Sequence, residues 1–473
     1  MDYIRTEASG QLSFTKSTDY LKKPSCLYEF HNTETTTALT ESGRTLICFK
    51  GELSQDEEDV RYCNRCGCRM HINARPVVTL RHLNFGGNLT NLEFPHIQYR
   101  CSKPGCGATV SPYVSFKAPG HRITVELFQY VCDLLATGHY TNKEVAELTG
   151  LGKNVVKDID KQRLKEKYTI DGTKLRKPEQ TTDYLGIDEF KLHDNRRFAT
   201  HIIDMRTGHI LWIASGRKKQ VVYDFIDHVG WDWMLSVKAV ACDMNSDFEE
   251  AFRERCPHIH IVFDHFHITK HLNEAIGEIR KDEQRRLIEE GNHAAAASLK
   301  GSKYILTSRR STLRQHDKEA ADGKLIRKGS NLFGTEDVKQ KGGLEERYNQ
   351  LLQENALLCT VDIIKEKLYA AYHLTDKAKM KHEIQEIAEI CLYDVDNVHL
   401  KKFGRMLLSH MDGIYTHATY AISTGKIEGI NNKIKTLRRQ GYGYPDDEYF
   451  FLKLIDMSRV TYVRNPKSHR KSD

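Results

Sequence analysis

The chain contains no apolar run that approaches the ~18 residues of a membrane-spanning helix, so we expect no membrane partner. Its first residues, MDYIRTEASGQLSF, lack the basic start and apolar stretch of a secretory signal, and a cytoplasmic location is therefore the expectation. An internal repeat is also missing, which excludes a solenoid or another repeat array.

A strong excess of one charge is absent as well. The 71 Lys and Arg residues and the 64 Asp and Glu residues give a formal net charge of +7. Charged residues make up 29% of the chain and hydrophobic residues 39%, as in ordinary soluble proteins. This balance only weakly favours a polyanionic partner, so any such inference has to rest on local clusters of charge. A length of 473 residues suffices for two to four domains, each with its own core.

The twelve cysteines are expected to be reduced in the cytoplasm, where closely spaced cysteines indicate metal binding rather than disulfides. Two close pairs occur, Cys63 with Cys66 and Cys101 with Cys106. Four such thiolates form a closed tetrahedral shell for a structural zinc ion. The segments RPVVTLRHLNF and NLEFPHIQYR between the pairs have strand character. Cys68 is an alternative to Cys66, His71 is the first non-cysteine substitute, and a metal-free pair of turns is the competing interpretation.

Residues 119–168 have the outline of a helix-turn-helix domain. Thr141 or Asn142 can cap a first helix, and Gly150 and Gly152 bracket a short turn before a second one. In such motifs the start of the second helix meets the DNA bases. The positions predicted to contact DNA are Lys153, Asn154 and Lys157. The competing interpretation is a small helical connector that does not touch DNA.

From Tyr184 onward the pattern changes to strands. The segments YLGIDEFKL and RFATHIIDMRTGHILWIASG predict an antiparallel meander of three strands, and VKAVACDM and HIHIVFDHF predict two more strands that each follow a helix. This order indicates a mixed α/β sheet. Residues 267–420 have helical spacing without strand signals, and HDKEAADGKLIRKGSNLFGTEDVKQKGG (316–343) is expected to be an exposed loop.

Two acids occupy special places in these strands. Asp188 alternates with Ile187 along the first strand, where an acid is costly unless it is paired or bound to a metal. Asp243 ends the fourth strand, and the carboxyl end of a strand in an open α/β sheet is a favoured position for a functional site. Each acid also has a structural interpretation, Asp188 as a buried ion-pair partner and Asp243 as a helix-start acid.

A third acid, Glu428, lies in the basic stretch STGKIEGINNKIKTLRRQGYGY. A helix from near Thr424 would carry an apolar stripe of Ile427, Ile430, Ile434 and Leu437 beside a polar face of Glu428, Asn432, Lys435 and Arg439. We predict that Glu428 shares divalent cations with Asp188 and Asp243, although a solvated helical glutamate is the simpler alternative. The cations expected to bind phosphates are Lys433, Lys435, Arg438 and Arg439. Tyr442 and Tyr444 are candidates for stacking on an unpaired base or for ordinary packing.

The cysteine pairs, the helix-turn-helix, GIDEF, CDMNSDF, FDHFH and KIEGINNKIKTLRRQGYGY follow one another in the order found in the ISL3 family of bacterial insertion-sequence transposases. The chain resembles that family over nearly its whole length. The resemblance implies an α/β, RNase H-like mixed five-stranded sheet interrupted by a large all-α insertion, preceded by a small zinc-binding domain and a helix-turn-helix domain. It implies that Asp188, Asp243 and Glu428 are the metal-binding acids of a DDE enzyme. Asp264, His265 and His267 of FDHFH would line the site without a primary role.

The sections expected along the chain are a polar lead-in without clear periodicity (1–60), a zinc-binding domain (61–118), the helix-turn-helix domain (119–168), a linker (169–183), the first part of the catalytic domain (184–280), the helical insertion (281–420), the last part of the catalytic domain with the third acid (421–460) and a basic tail (461–473).

The implied activity is cleavage of the element's ends and their joining to target DNA, with two Mg²⁺ ions, or Mn²⁺, held by the three acids. The expected partner is double-stranded DNA, from the element ends and from the target. Because two ends must be brought together, we expect at least a homodimer on DNA, associated with the bacterial nucleoid. The alternatives are a zinc and helix-turn-helix regulator with an inactive nuclease-like domain, and a nuclease that cuts RNA–DNA hybrids.

Overall fold

The computed structural model describes residues 29–54, 61–193, 197–328, 336–441 and 443–460. The chain divides into a first unit, Met1–Arg176 with Leu437–Asp473, and a second unit, Lys177–Thr436. The beginning of the expected lead-in and the expected basic tail lie outside the described residues. Among the described helices, none is both long and apolar enough to cross a membrane.

The first unit begins with two small sheets. Their strands are β1 (Phe30–Leu39), β2 (Thr45–Leu53), β3 (Met70–Ala74), β4 (Val77–Phe85), β5 (Asn88–Pro95), β6 (Gln98–Cys101) and β7 (Thr109–Val110). One sheet has the order β1-β2-β5-β4 and the other the order β3-β6-β7. The strand character predicted between the two cysteine pairs is therefore confirmed.

The expected polar lead-in, in which the sequence shows no clear periodicity, contains the strands β1 and β2 in its described part. These strands pair with each other in antiparallel fashion, and β2 runs parallel to β5. The alternation along FHNTETTTAL is one of polar residues, so it gives no hydrophobic period, although threonine favours strands. Phe30 and Phe49 pack with Phe94 and Phe116, and these tertiary contacts decide the structure of the segment.

Three helices follow, as predicted: α1 (Val125–Ala136), α2 (Asn142–Thr149) and α3 (Lys153–Tyr168). Thr141 caps α2 and forms a reciprocal capping box with Glu144. Gly150 ends α2 with a φ of 71°, a left-handed conformation that glycine adopts without strain. Residues from all three helices, including Val131, Val145 and Ile159, share one core.

The carboxyl-terminal helix of the first unit, α17 (Asp447–Arg459), is held to α3 by a buried ionic network. The Asp160 carboxylate, which is fully buried, accepts hydrogen bonds from the Tyr449 hydroxyl at 2.7 Å and from the Lys453 ammonium at 2.9 Å. Arg163 donates to both Asp160 and Asp456, at 2.8 and 3.0 Å. Since each buried charge has a partner of opposite sign, the network fixes how α17 packs on α3.

The second unit contains the five-stranded sheet predicted from the sequence. Its strands are β10 (Tyr184–His193), β11 (Arg197–Asp204), β12 (Ile210–Ser215), β13 (Ala239–Cys242) and β14 (His260–Phe263), in the order β12-β11-β10-β13-β14. The first three form the antiparallel meander, and β10, β13 and β14 are parallel. The crossovers are α4 (Lys219–Val229) with the short α5 (Trp231–Met234), and α6 (Ser246–Arg255).

Before this sheet, in the first unit, the expected linker contains a small hairpin of β8 (Thr169–Ile170) and β9 (Lys174–Leu175).

Helices dominate the chain after β14, as predicted. They are α7 (His265–Glu289), α8 (His293–Leu299), α9 (Lys303–Thr307), α10 (Arg310–Ala321), α11 (Leu344–Gln353), α12 (Ala356–Ala371), α13 (Lys377–Glu389), a π-helical turn (Ile390–Asp394), α14 (Val398–Ser409), α15 (Met411–Tyr415), a 3₁₀ turn (Thr416–Ala418) and α16 (Gly425–Gln440). The expectation of an exposed loop at 316–343 is wrong in part. Helix α10 continues to Ala321, and β15 (Leu325–Lys328) pairs with β16 (Glu336–Lys339) in a hairpin.

The network between α3 and α17 predicts a specific loss of stability. Replacing Asp160 with alanine leaves Arg163 and Lys453 without their shared carboxylate, which costs about 3–5 kcal/mol of unfolding free energy. Burial alone would raise the pKa of Asp160, but Lys453 and Arg163 outweigh it and lower the pKa. The carboxylate therefore stabilises the fold above the ordinary aspartate pKa of about 3.9, and this contribution is lost as the pH falls through the lowered value.

Guanidinium unfolding at neutral pH and at about pH 3 measures both effects. The matched control is Asp158→Ala, which removes an exposed acid from the same helix and is expected to change stability by less than about 0.5 kcal/mol. Equal unfolding midpoints for the two variants at neutral pH would show that the network does not stabilise the first unit.

Candidate functional site

Asp188, in the middle of β10, and Asp243, directly after β13, lie beside each other on two parallel strands. The register between β10 and β13 pairs Tyr184 with Ala239 and Gly186 with Ala241. Two residues further, the same register places Asp188 opposite Asp243. Their charges interact, because Asp243 is one of the groups that raise the pKa of Asp188. Strand pairing therefore brings together two acids that are 55 positions apart in the sequence.

A third acid continues this row. Cys242 on β13 pairs with Phe263 on β14, so Asp264 follows in register with Asp243. Its carboxylate caps α7 by accepting the Phe266 amide at 2.9 Å. The His267 ring lies between the acids, with Nδ1 at 3.3 Å from an Asp243 oxygen and Nε2 at 4.0 Å from an Asp264 oxygen. The sequence analysis gave His267 and Asp264 no primary role. The pattern FDHFH, in which a helix-capping acid directly follows a strand, is the sequence feature that could have indicated their position beside Asp243.

Glu428 is carried by α16, and the start of this helix is anchored to β10 and to the turn after β11. The Lys426 ammonium donates to the Met205 carbonyl at 2.8 Å. Ile427 packs closely on Gly186, where a Cβ atom would lie 2.8 Å from the Ile427 Cδ1. The Asn431 amide donates to the Asp188 carboxylate at 2.6 Å. Glu428 precedes Asn431 by three residues, which is less than one helical turn of ~5.4 Å along the same helix.

The polar face predicted for α16 included Asn432, but the residue that contacts Asp188 is Asn431. The helical period allowed either position. Glu428 itself is exposed, and within the described residues its carboxylate has no hydrogen-bond or ion-pair partner. The oxygens of the three predicted acids do not form a tight cluster in the described chain, where the one group of three or more possible metal ligands within 4.8 Å of one another consists of cysteines.

The electrostatics of Asp188 favour a cation. Burial raises the pKa of this carboxyl, the Asn431 amide and the Glu189 backbone N–H partly offset the shift, and the Asp243 charge adds to it. A carboxylate that is buried beside a second carboxylate is stabilised by a positive charge. Oxygen ligands of this kind suit Mg²⁺ or Mn²⁺, so the residues present fit the ions predicted from the sequence.

The predicted DNA-binding residues have different surroundings. Lys153 and Asn154 are exposed at the start of α3, whereas Lys157 forms an ion pair with Asp446 at 3.3 Å. On α16, Lys435 and Arg439 are exposed, and Lys433 and Arg438 are half-buried. Tyr444 stacks on Phe450 at a ring distance of 4.7 Å, which supports its packing role, and Tyr442 lies outside the described residues.

The four predicted zinc ligands converge. The sulfur atoms of Cys63, Cys66, Cys101 and Cys106 all lie within 4.8 Å of one another. The Cys63 and Cys106 sulfurs are 3.8 Å apart, and those of Cys66 and Cys101 are 3.5 Å apart. Zinc–sulfur bonds of ~2.3 Å in a tetrahedron require sulfur separations of about 3.8 Å. Cys68 and His71 are not part of the cluster.

The protonation of these thiols also fits a cation. The Arg65 backbone amide lowers the pKa of Cys63 to about 7. The Lys103 amide acts in the same direction on Cys101, but burial and the neighbouring thiols outweigh it and raise the pKa of Cys101 to about 12. Four thiols so close together cannot all ionise without a compensating charge. A bound metal ion would supply that charge, and the donor set is one that zinc prefers.

The cysteine cluster predicts about one tightly bound zinc ion per chain. Substitution of Cys101 by serine should reduce the zinc content to near zero and lower the midpoint of thermal unfolding, because the metal holds together three separate turns and strands. Cys68→Ser is the matched control and should retain its zinc. Metal analysis of the purified proteins measures the zinc content. Loss of zinc from both variants would show that Cys68 is also needed for zinc binding, against its exclusion from the cluster.

The raised pKa of Asp188 predicts that its charge destabilises the metal-free fold. Asp188→Asn should therefore raise the midpoint of thermal unfolding in chelator at neutral pH, by about 1–4 °C. The gain should fade below about pH 4, where the carboxyl is protonated in the unfolded chain as well. Added Mg²⁺ should stabilise the wild type and not the variant, because an ion that binds only the folded wild type shifts its equilibrium.

The matched control is Asp232→Asn, an exposed acid on the same unit, which should leave the midpoint unchanged in chelator and with Mg²⁺. A lower midpoint for Asp188→Asn in chelator would mean that the carboxylate is already compensated by its protein partners.

Comparisons with known proteins show which family the chain is similar to. The model of the ISL3 family, described as a transposase, matches residues 185–454, which include all three predicted acids. The transposase for insertion sequence element IS1001 of Bordetella parapertussis is 27% identical over 423 residues, 88% of this chain and 92% of the relative. The transposase for insertion sequence element IS1557 of Mycobacterium tuberculosis is 24% identical over 273 residues, 55% of this chain and 56% of the relative. Since the family model covers more than half of the chain, the protein belongs to the ISL3 family of transposases.

Proposed function

We propose that this transposase binds the ends of its insertion element, cuts them, and joins them to target DNA with the acids Asp188, Asp243 and Glu428. The observation that carries the proposal is the in-register placement of Asp188 and Asp243, with α16 attached to Asp188 through Asn431. The sheet order β12-β11-β10-β13-β14, with three antiparallel strands followed by two parallel ones, supports an RNase H-like catalytic fold. Glu428 reaches this sheet after a long helical insertion.

The reaction has two displacements at phosphorus. Water first breaks a phosphodiester bond at the element end and frees a 3′ hydroxyl, and that hydroxyl then displaces a 3′ oxygen in the target strand. Two Mg²⁺ ions, when bound by the three acids, would stabilise the charge on the attacking and leaving oxygens. The chain's own residues orient these ligands. Asn431 fixes the Asp188 carboxylate through its hydrogen bond, and His267 lies against the Asp243 carboxylate.

DNA binding is assigned to separate parts of the chain. The exposed residues Lys153 and Asn154, at the start of α3, are placed to meet base edges as in other helix-turn-helix proteins. The cations of α16 follow Glu428 on the same helix and would neutralise phosphates near the cut: Lys433, Lys435, Arg438 and Arg439. A zinc ion on the four cysteines would have a structural role, because a closed thiolate shell leaves no position for water.

The organisation expected from the sequence remains part of the proposal. It comprises a zinc-binding domain at 61–118, a helix-turn-helix domain at 119–168, and a catalytic domain at 184–280 and 421–460 with the helical insertion at 281–420. Two element ends have to meet before joining, so the active form on DNA is at least a homodimer. The reaction would take place at the nucleoid, in the cytoplasm.

A strand-transfer assay on matched element ends tests the proposal. With Mg²⁺, the wild type should produce cut ends and joined products, and Asp188→Asn, Asp243→Asn and Glu428→Gln should each reduce both by at least about 100-fold, since even partners of metal ligands contribute 10–100-fold. The same variants should retain their affinity for the ends, because the proposed DNA-reading residues are elsewhere. Asp232→Asn is the matched control and should act like the wild type.

The alternatives give different products in this assay. A regulator with an inactive nuclease-like domain would bind the ends and cut nothing in any variant. A hybrid nuclease would cut RNA–DNA hybrids without joining. Activity of the Glu428→Gln protein equal to the wild type would remove Glu428 from the proposed triad.

A further inference from the structure

A pocket of about 350 Å³ lies directly beside the proposed acid site in the second unit. One wall is the start of α7, where Asp264 follows β14 in register with Asp243. Another wall is the segment before α16, where the Thr424 carbonyl accepts the Glu428 backbone amide at 3.1 Å. The remaining walls come from the helical section, including Arg309, the end of α12 and the 3₁₀ turn. The pocket thus opens between the start of α7, which Asp264 caps, and the segment that leads into α16, the helix that carries Glu428. Its volume is in the range of ligand sites.

Two buried polar atoms in the pocket wall lack partners. The Tyr372 hydroxyl oxygen and the His417 Nδ1 are both inaccessible to water, and neither has a hydrogen-bond partner in the described part of the chain. The Tyr372 ring packs between His265 and His417, at ring distances of 4.3 and 5.2 Å. Burial raises the pKa of Tyr372, so its hydroxyl keeps its proton as a donor. A polar ligand that reached these two atoms would supply the hydrogen bonds that they lack.

Arg309 provides the positive charge of the pocket. Its guanidinium lies over the Tyr369 ring, 3.9 Å from the ring centroid. No carboxylate of the described residues forms an ion pair with it, in contrast to Arg310 next in sequence, which pairs with Asp362. A guanidinium over an aromatic ring offers a surface for a nucleobase and donors for a phosphate.

We propose that this pocket receives one unstacked nucleotide of the DNA strand next to the cut. Its base would stack on the Arg309–Tyr369 platform. Entry of the base would expose the buried Tyr372 and His417 atoms, which would then bond polar groups of the base or sugar. The Asp264 carboxylate at the rim can accept a hydrogen bond from an amino group of the base. The inference rests on the proposed function, because it requires DNA at the neighbouring acids. It gives the helical insertion a role, since Arg309, Tyr369 and Tyr372 all belong to that section.

Permanganate oxidation of thymines tests the inference, because it detects bases that have left the stack. Thymines are placed one at a time along duplexes that carry an element end, with Ca²⁺ in place of Mg²⁺ so that binding is measured without relying on cleavage. Wild-type protein should make one thymine beside the cut at least about 5-fold more reactive than in free duplex. Arg309→Ala should abolish this increase, and Arg314→Ala, an exposed arginine of α10 outside the pocket, should not.

Tyr372→Phe separates a ligand contact from a structural role. Removing a hydroxyl that has no partner should leave the unfolding midpoint of the free protein unchanged or raise it, while the permanganate signal falls. In Mg²⁺, Arg309→Ala should cut the element end more slowly than the wild type, because the base is no longer held outside the stack. An abasic nucleotide at the reactive position should restore its cleavage, since no base then has to be unstacked.

The outcomes distinguish this inference from the proposed function. Absence of a reactive thymine with wild-type protein, or a reactive thymine that persists in Arg309→Ala, would overturn the pocket assignment alone. A wild type that cuts no element end in Mg²⁺ would overturn the transposition proposal, and the permanganate result in Ca²⁺ would still decide whether the pocket takes a base.

Discussion

Repulsion between carboxylates on neighbouring parallel strands is the constraint on which the proposed acid site depends. Parallel pairing of β10, β13 and β14 brings Asp188, Asp243 and Asp264 to neighbouring positions on the sheet. Burial and the neighbouring charge both disfavour ionisation of Asp188. The Asn431 amide and the His267 ring compensate in part, because each contacts one of these carboxylates. A cation would relieve this unfavourable charge, so the site would bind it more strongly than an isolated carboxylate does. Sites of this kind suit metal-dependent phosphoryl transfer.

The position of Glu428 depends on packing rather than on charge. Gly186 has no side chain, and this lets Ile427 lie directly on β10, while Lys426 binds the turn after β11. These contacts and the Asn431–Asp188 hydrogen bond define both the height and the rotation of α16 over the sheet. The helical insertion can therefore be long, because the helix that follows it, α16, is fixed by its own contacts with the sheet. The pocket beside β14 shows that the insertion also contributes side chains to the neighbourhood of the acids.

The first unit combines small apolar cores with polar constraints. Its sheets are small, and the strands that carry the cysteines have few buried apolar residues around them. The four convergent thiols and the buried network of Asp160, Arg163 and Asp456 add such constraints. Small domains commonly need such additional constraints, because apolar burial alone barely offsets the entropy of ordering the chain.

The sequence by itself determined the elements with strong local signals: the strands from Tyr184 to Phe263, the helix cap at Thr141, and the cysteine pairs whose spacing allows a shared metal. It also supplied the three acids as candidates, since acids within or directly after apolar strands and in a basic helix stand out locally. Tertiary structure decided what no local period encodes. The polar strand β1 forms because it pairs with β2, which in turn pairs with β5. Asn431 rather than Asn432 faces Asp188 because Ile427 fixes the rotation of α16 on Gly186. Contacts between distant residues depend on how helices and strands pack. The hydrophobic periodicity of a segment predicts which of its faces is buried, but not which helix or strand packs against that face.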